Sequence, residues 1–297
     1  MERETSKEIV GYRCGVIEKK GEPQKRLLVG IPITGNLRAE WVLARYGQVI
    51  PCNWSQNEYV QWIDQWSPIR FMVADARNLI VKAVLENRNE WLLFIDHDVV
   101  LPPLFLVTVN ELMIKGDFAM FSGLYWTKSV PSEPLIYRGR GNGYYKGWKI
   151  GDKVWVDGHG MGCTLIHSSI LQAMWNESEE YVVAGQATRK VFETPVRVFY
   201  DPETNSFNTA TGTEDLEFCS QVMKRGILKK AGWSKLASKE FPFLVDTSLF
   251  CWHIDMNGMR FPSRGEHGEF IRKGKAVKEP WSTKNQVKGP TVTVKEK

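Results

Sequence analysis

Residues 91–98 read Trp-Leu-Leu-Phe-Ile-Asp-His-Asp, an apolar run that ends in two carboxylates. Five consecutive apolar residues, rich in aromatic and branched side chains, are typical of a buried strand in a parallel sheet. Such a strand delivers Asp96 and Asp98 to its carboxyl end, where the ligand crevice of an open α/β sheet lies. Two carboxylates so placed suit a hard divalent cation such as Mg²⁺ or Mn²⁺, which keeps positions open for phosphate oxygens. The alternative is a polar turn that caps the next helix, because Asp is common in such turns.

The sequence alternates between strand and helix patterns as far as residue 124 and mixes them beyond it. A chain of 297 residues can bury one sizeable core, and we find no internal repeat or second core. We therefore predict an α/β fold with a mostly parallel central sheet, flanking helices and a small antiparallel addition. The predicted helices cover residues 40–46, 58–66, 77–87, 104–115, 168–175 and 216–224, and the predicted strands cover 26–31, 91–95, 117–124, 154–156, 163–167, 243–245 and 249–252.

The two ends of the chain and one internal stretch lack these patterns. We expect a polar lead-in over residues 1–25, a single domain over 26–260 and a basic, solvated tail over 261–297. Residues 126–152 combine prolines, glycines and aromatic residues without a helical period. Loops of this length are often functional, so this one is a candidate for substrate selection.

The net charge of +5 is concentrated in the tail. Seven Lys and two Glu between residues 273 and 297 carry all of it, so residues 1–272 are formally neutral. A basic surface of the kind that nucleic-acid-binding proteins show is therefore not indicated. A weak attraction of the tail to anionic membrane lipids is the alternative to a purely solvated end.

The cysteines and the hydropathy pattern bear on the cellular compartment. The five Cys are odd in number and lack the spacing of zinc fingers or redox motifs, which favours free thiols in a reducing cytoplasm. The charged N-terminus has no apolar signal segment, and no run approaches the ~20 apolar residues of a membrane span. We expect a cytoplasmic protein, and a loose association with membranes through the tail is the alternative. The cysteines are Cys14, Cys52, Cys163, Cys219 and Cys251.

Three further polar or glycine-rich segments are candidates for the same site. Thr213-Glu214-Asp215 stands at a predicted helix start, where the helix dipole favours anions, although an Asp there is usually a simple cap. His253 follows a hydrophobic strand, where a lone His is more often packed than a ligand. The glycines of residues 158–162 either allow close backbone approach to a ligand or form an ordinary bulged turn.

Several of these segments share their order and spacing with a known family. They are residues 29–34, 76–78, 92–98 with 102–103, 121–126, 158–162, 213–219, and 244–246 followed by His253. On these segments the chain resembles the GT-A-fold glycosyltransferases of family 2, in their non-processive, bacterial and phage-like branch. The spacing from Ala76-Arg77-Asn78 to Asp-x-Asp and the Glu-Asp helix start are the specific parts. The Gln-x-x-Arg-Trp motif of processive synthases is absent, so long-chain polymerisation is not expected.

The resemblance implies a metal-dependent glycosyltransferase that moves one sugar from a UDP- or GDP-sugar to an acceptor hydroxyl. The candidate metal residues are Asp98, His253 and Asp96. Asp98 and His253 would bind Mn²⁺ or Mg²⁺ directly, and Asp96 would contact a metal-bound water or the nucleotide ribose. Asp215 would be the general base, with Glu214 orienting the acceptor. The residues expected to bind the nucleotide-sugar are Pro32, Ile33, Thr34, Arg77, Asp96, His97 and Gly160.

The chemistry that this family carries out agrees with these residue types. A divalent cation neutralises the charge that grows on the diphosphate leaving group. A base within ~2.6–3.2 Å takes the proton of the acceptor hydroxyl. If Asp215 acts from the face opposite the diphosphate, the anomeric centre is inverted. A mobile His253 segment would couple donor binding to closure of the site.

Three other assignments stay open. Retaining GT-A enzymes also use Asp-x-Asp and a late His. A nucleotidyltransferase would need a basic residue just after the first strand, and residues 33–36 lack one. An inactive domain that only binds a nucleotide or glycan is disfavoured, because Asp98, Asp215 and His253 are all present. The acceptor is a glycan, a lipid or another hydroxyl compound, including a modified nucleic-acid base, and residues 126–152 are expected to select it.

Overall fold

The computed structural model of the chain describes residues 24–51, 54, 60–139, 143–203 and 205–262. Within these residues the chain forms seven helices and sixteen strands. The helices are α1 (Ala39–Tyr46), α2 (Val73–Glu86), α3 (Phe105–Lys115), α4 (Ser168–Asn176), α5 (Glu214–Lys224), α6 (Ile227–Lys230) and α7 (Ser234–Ala237). The strands are β1 (Gln24–Gly30), β2 (Val60–Trp66), β3 (Trp91–Ile95), β4 (Val99–Val100), β5 (Met120–Leu124), β6 (Ile136–Tyr137), β7 (Lys153–Val156), β8 (Gly158–His159), β9 (Cys163–His167), β10 (Glu180–Val183), β11 (Gln186–Arg189), β12 (Val196–Asp201), β13 (Ser206–Thr211), β14 (Phe243–Phe250), β15 (Trp252–Ile254) and β16 (Arg260–Phe261).

The central sheet has the strand order β2-β1-β3-β9-β5-β14-β7. β1 is parallel to β2 and to β3, and β5 is parallel to β14. β9 runs antiparallel between β3 and β5, and β7 is antiparallel to β14 at one edge. Five of the seven strands therefore run in one direction. The predicted fold class is confirmed: the fold is α/β, with a mostly parallel central sheet, flanking helices and smaller antiparallel sheets.

The apolar run Trp91–Ile95 forms β3 and is buried on both faces of the sheet. Leu92 belongs to the hydrophobic cluster that includes Ile80 of α2, whereas Leu93 belongs to the cluster that includes residues of α3. Gly30 of β1 lets α2 come close to the sheet, because an added Cβ would lie only 2.5 Å from Cγ2 of Ile80. A sheet covered on both faces explains why β3 is continuously apolar rather than alternating.

The amphipathic helix predicted over residues 58–66 is wrong, because most of this segment is strand β2. β2 pairs in parallel with β1, from Gln24 opposite Val60 to Gly30 opposite Trp66. Its four apolar residues fit the helical and the strand period equally well in so short a segment. Aromatic and branched side chains favour the strand, and the backbone hydrogen bonds offered by β1 make it the stable choice.

Smaller differences concern element boundaries and two hairpins. α2 begins at Val73, one turn before the predicted start at Arg77. The two predicted late strands are largely one strand, β14, with an irregularity between Asp246 and Phe250. The hairpins β10–β11 and β12–β13 were not predicted, because their mixed polar and apolar residues show no clear period. The predicted end of α3 is confirmed, since Gly116 follows it in the left-handed conformation.

Some predicted features lie outside the described residues: the lead-in over 1–23, the tail over 263–297, Cys14 and Cys52. The outer borders of the domain therefore stay predictions. The cysteines in the described part of the chain are free and buried, namely Cys163, Cys219 and Cys251. Within the same residues no helix combines the length and apolar character that crossing a bilayer requires.

The buried His159 of β8 predicts a loss of stability in mild acid. Its Nδ1 lies 2.8 Å from the carbonyl oxygen of Gly160 and donates to it, whereas its Nε2 has no hydrogen-bond partner. Burial lowers the pKa of His159 from 6.5 to about 4. As the pH falls below 6.5, the unfolded chain takes up a proton here that the folded chain does not. Folding stability then falls by about 1.4 kcal/mol for each pH unit from this group alone.

Urea unfolding between pH 4.5 and 7.5 tests this in the wild type and in His159→Met. Methionine fills irregular apolar space and does not titrate. We expect the free energy of unfolding to fall less steeply below pH 6.5 in the variant than in the wild type. Parallel pH dependences of the two proteins would contradict the prediction.

Candidate active site

The candidate site is built at the carboxyl end of β3. The backbone N–H of Asp96 donates to the carbonyl of Gly162 at 2.9 Å, and its carbonyl accepts from Nε1 of Trp41 at 2.8 Å. The turn after β3 is therefore fixed between α1 and the segment before β9. Asp96 and Asp98 lie at the edge of the sheet where the sequence predicts them.

A buried guanidinium joins three of the elements that meet at this edge. Arg77 of α2 is 2% exposed, and its Nη2 lies 3.0 Å from both carboxylate oxygens of Asp96. Its Nε donates to Oε1 of Glu214 at 3.3 Å, and the guanidinium lies over the ring of Phe94, 4.8 Å from its centroid. Arg77 thus links α2, the end of β3 and the start of α5. Its expected contact with a nucleotide stays a prediction.

The two partners of Arg77 are the carboxylates of Asp96 and Glu214. Burial raises the pKa of Asp96, and the charges of Asp98 and Glu214 add to this, while Arg77 opposes it. Glu214, which the resemblance assigns to orienting the acceptor, directs its carboxylate at Arg77. Both carboxylates therefore have the same buried guanidinium as their cationic partner in a partly desolvated site.

Asp98 lies between two basic side chains from distant parts of the chain. Its Oδ1 is 3.4 Å from Nε2 of His253, and its Oδ2 accepts a short hydrogen bond from Nζ of Lys128. Burial alone would raise the pKa of Asp98, but the contacts with His253 and Lys128 outweigh burial and hold it well below its usual value. The structure therefore brings together Asp98 and His253, as the sequence predicts.

The orientation of His253 leaves one ring nitrogen for a ligand. Its Nδ1 lies 2.6 Å from the carbonyl oxygen of Trp126, and a carbonyl can only accept, so Nδ1 carries a proton. Nε2 is then the nitrogen that can take a second proton or a metal ion, and it faces the carboxylate of Asp98. Metal-binding histidines commonly donate their other ring N–H to a backbone carbonyl in this way. The pair fits two of the ligands of a divalent cation.

The pair does not make a complete metal site by itself. Among the described residues no group of three or more His, Cys, Asp or Glu side chains is arranged to hold a metal ion. Asp96, the third predicted ligand, is engaged by Arg77. A cation at Asp98 and His253 would therefore need further oxygen ligands from water or from a phosphate-bearing substrate, as Mg²⁺ sites commonly have.

Asp215 is the second residue of α5 and is half-buried. Thr213 is the N-cap residue, and Oδ1 of Asp215 accepts from the backbone N–H of Leu216 at 2.8 Å. Burial raises the pKa of Asp215 to about 6, and the charge of Glu214 adds to this, whereas Thr213, the Leu216 N–H and Arg77 oppose it. A carboxyl group with this pKa is well matched to a general base near neutral pH. The N-cap residue is thus Thr213, while the carboxylate of Asp215 accepts a backbone N–H of the first turn, as a capping side chain does.

The loop after β1 is held to the Asp-His-Asp turn through His97. Nδ1 of His97 donates to the carbonyl of Pro32 at 3.2 Å, and its Nε2 accepts from Oγ1 of Thr34 at 3.2 Å. Ile33 bridges to Ile69 before α2. Pro32, Ile33, Thr34 and His97 therefore lie together as predicted, with His97 connecting the two segments. Their contact with a nucleotide-sugar stays a prediction.

The glycines near β8 make room for a tyrosine. A Cβ on Gly160 would lie 2.0 Å from Oη of Tyr125, and one on Gly162 would lie 2.8 Å from a methyl carbon of Val99. The backbone N–H of Gly162 donates to Oη of Tyr125 at 2.8 Å. Burial raises the pKa of Tyr125 far above 10, and the charges of Asp215 and Asp96 act in the same direction. The absence of side chains at these glycines therefore leaves room for the Tyr125 ring, and the donor-binding role of Gly160 stays a prediction.

Three residues of the site were missed by the sequence reasoning: Tyr125, Trp126 and Lys128. Tyr125 and Trp126 end a segment that the resemblance includes, but nothing in the sequence indicates that the Trp126 carbonyl orients His253. Lys128 begins the loop without regular pattern, so no period or motif points to it. Its contact with Asp98 depends on the path of that loop, which only the three-dimensional structure shows.

No protein-family model and no curated protein matches the chain. Among solved structures, the chain is similar to A197 from STIV, with 18% sequence identity and a TM-score of 0.47 over 79% of this chain and 88% of A197. It is also similar to residues 1-349 of S. aureus TarS in complex with UDP-GlcNAc, with 12% identity and a TM-score of 0.32 over 52% of this chain and 48% of that one. For a longer TarS structure the values are 12%, 0.36, 74% and 35%. The chain thus spans about half or less of the TarS chains, and these distant likenesses assign it no family.

Replacing Arg77 with methionine should destabilise the fold strongly. The substitution keeps most of the apolar stem but leaves the carboxylates of Asp96 and Glu214 without their common partner. Breaking a buried ion pair by removing one member typically costs about 3 kcal/mol or more. Urea unfolding at pH 7 measures the difference in the free energy of unfolding.

The matched control is Lys115→Met, which breaks an exposed pair with Asp117. A surface pair of this kind contributes less than about 1 kcal/mol, so the control should unfold almost as the wild type does. Equal stabilities of Arg77→Met and Lys115→Met would show that Arg77 does not hold the site together.

Proposed function

We propose that the chain is a metal-dependent glycosyltransferase that moves a single sugar from a nucleotide-sugar donor to an acceptor hydroxyl. The observation that carries the proposal is the contact between Asp98 and His253, with Nε2 of the imidazole directed at the carboxylate. These side chains come from separate elements, the turn after β3 and strand β15. Two protein ligands with room for more suit a cation that also binds the phosphates of a substrate.

The proposal gives each of the residues around the cation position a role. Asp98 and His253 would hold Mn²⁺ or Mg²⁺, which when bound neutralises the charge developing on the diphosphate leaving group. The Trp126 carbonyl keeps Nδ1 of His253 protonated and Nε2 available. Arg77 holds Asp96 beside this position, so that Asp96 can accept a hydrogen bond from the ribose or from a bound water.

Asp215 would act as the general base. Its half-buried carboxyl has a pKa raised to about 6, so it is mostly ionised at pH 7 yet basic enough to take a proton from a hydroxyl. Its position at the start of α5, beside Glu214 and within the charge network of Arg77, supports attack by an acceptor at this place. If the attack occurs opposite the diphosphate, the product has the inverted configuration. The loop over residues 126–152 would select the acceptor, whether glycan, lipid or another hydroxyl compound.

A thermal-shift panel of UDP-, GDP- and dTDP-sugars, with and without Mn²⁺, tests the donor class. We expect one nucleotide family to raise the melting temperature only when Mn²⁺ is present, because the ligand and metal stabilise the folded state together. Asp98→Ala should abolish this metal-dependent shift. Asp215→Asn should keep the shift but lose sugar transfer by about 100-fold or more, the usual contribution of a general base.

Asp117→Ala, at an exposed position before β5, is the control for both measurements and should behave as the wild type does. Near-normal transfer by Asp215→Asn would show that the general base has been assigned wrongly. If Asp98→Ala kept the metal-dependent shift in melting temperature, Asp98 would not be a ligand of the metal.

The pH dependence of transfer provides a separate test of Asp215. The base must be deprotonated, so activity should rise with pH through a midpoint near 6, the pKa to which burial raises this carboxyl. The measurement is kcat/KM for the donor identified by the panel, from pH 5 to pH 8. A flat profile between pH 5 and pH 7 would contradict an essential carboxylate with this pKa.

A further inference from the structure

Lys128 pairs with the carboxylate of Asp98, the same group that would bind the proposed cation. Its Nζ contacts Oδ2 of Asp98, while Oδ1 of the same carboxylate faces Nε2 of His253. The Lys128 side chain is 34% exposed, so its charged end reaches the carboxylate from the solvent side. In the free protein, this ammonium supplies the positive charge at Oδ2 of Asp98.

The backbone next to Lys128 is held by several hydrogen bonds, whereas its side chain is partly exposed and is paired with Asp98 through Nζ. The backbone N–H of Thr127 donates to the carbonyl of Glu133 at 2.8 Å, and the backbone N–H of Glu133 donates to Oγ1 of Thr127 at 2.9 Å. Oγ of Ser132 donates to the Thr127 carbonyl at 2.9 Å. The preceding carbonyl, of Trp126, accepts from His253. The root of Lys128 is therefore fixed beside the site, and only its four-carbon stem needs to move.

Building on the proposed cation site, we propose that Lys128 is a donor-positioning residue that exchanges one partner for another. In the free protein its ammonium is paired with Asp98. A divalent cation on Asp98 repels the ammonium at short range, because two positive charges then share one carboxylate. The diphosphate that accompanies the cation offers new anionic oxygens within reach of the same stem, and a lysine binds phosphate well as a point charge.

This exchange has a consequence for the order of binding. A metal ion that binds alone repels the Lys128 ammonium from Asp98 and offers it no new partner. The affinity of the site for the metal alone is therefore reduced. Metal together with a diphosphate gives the ammonium a partner, so each ligand strengthens the binding of the other. The site would then discriminate against free divalent cations and respond to a cation that arrives with a diphosphate.

The experiment measures the Mn²⁺ dissociation constant from the EPR signal of free Mn²⁺, with and without a fixed excess of inorganic pyrophosphate. A titration without protein corrects for the Mn²⁺ that pyrophosphate binds in solution. The proteins are the wild type, Lys128→Met and the control Lys190→Met, whose lysine pairs with Glu179 at the surface. We expect Lys128→Met to bind Mn²⁺ alone about tenfold more tightly than the wild type, a typical size for coupling between two ligands. The gain in Mn²⁺ affinity on adding pyrophosphate should shrink by a similar factor. Lys190→Met should match the wild type in both measurements.

Equal affinities of the wild type and Lys128→Met for Mn²⁺ alone would overturn the role of Lys128 and leave the cation site standing. The same holds if pyrophosphate strengthens Mn²⁺ binding equally in both proteins. Absence of Mn²⁺ binding from all three proteins, with or without pyrophosphate, would overturn this proposal and the metal dependence of the proposed function together.

Discussion

An excess of carboxylates at one edge of the central sheet is the constraint on which the site depends. Four acidic side chains from the end of β3 and the start of α5 meet where solvent is partly excluded, and an unpaired charge there is costly. Arg77 compensates two of them from inside the core. Asp98 is paired with both Lys128 and His253, and burial raises the pKa of Asp215 to about 6.

This arrangement separates what supports the fold from what can exchange with a ligand. Arg77 is buried and forms ion pairs with Asp96 and Glu214. These pairs join α2, the end of β3 and the start of α5. Asp98, Lys128 and His253 lie nearer to solvent, and their pairing can be rearranged. A divalent cation that enters with a diphosphate adds little net charge, so it can replace these contacts without upsetting the balance. In the proposed function, these contacts would favour a metal and a diphosphate together over either one alone.

The sequence predicts a helix or strand correctly where its hydrophobic pattern fits only one of the two. It predicts site residues only where they directly follow such a segment. The apolar run of Trp91–Ile95 specifies a strand buried on both faces, and its position brings the aspartates to the ligand edge. The segment over 58–66 fits two periods, and its pairing with β1, a long-range contact, decides between them. The double pairing of Arg77 and the position of Lys128 depend on the relative placement of distant elements, which no local pattern encodes. A sequence motif identifies candidate site residues, but it does not show which of them form ion pairs with one another.

The proposed function requires the imidazole of His253 and the carboxylate of Asp98 to bind one divalent cation. Pulsed EPR of the Mn²⁺-loaded protein with a nucleoside diphosphate tests this most directly, because a coordinated imidazole nitrogen gives its own hyperfine coupling to Mn²⁺. We expect the wild type to show the ¹⁴N coupling of a directly bound histidine, and we expect His253→Ala to lack it. Bound Mn²⁺ without such a coupling, or the same coupling in His253→Ala, would contradict it.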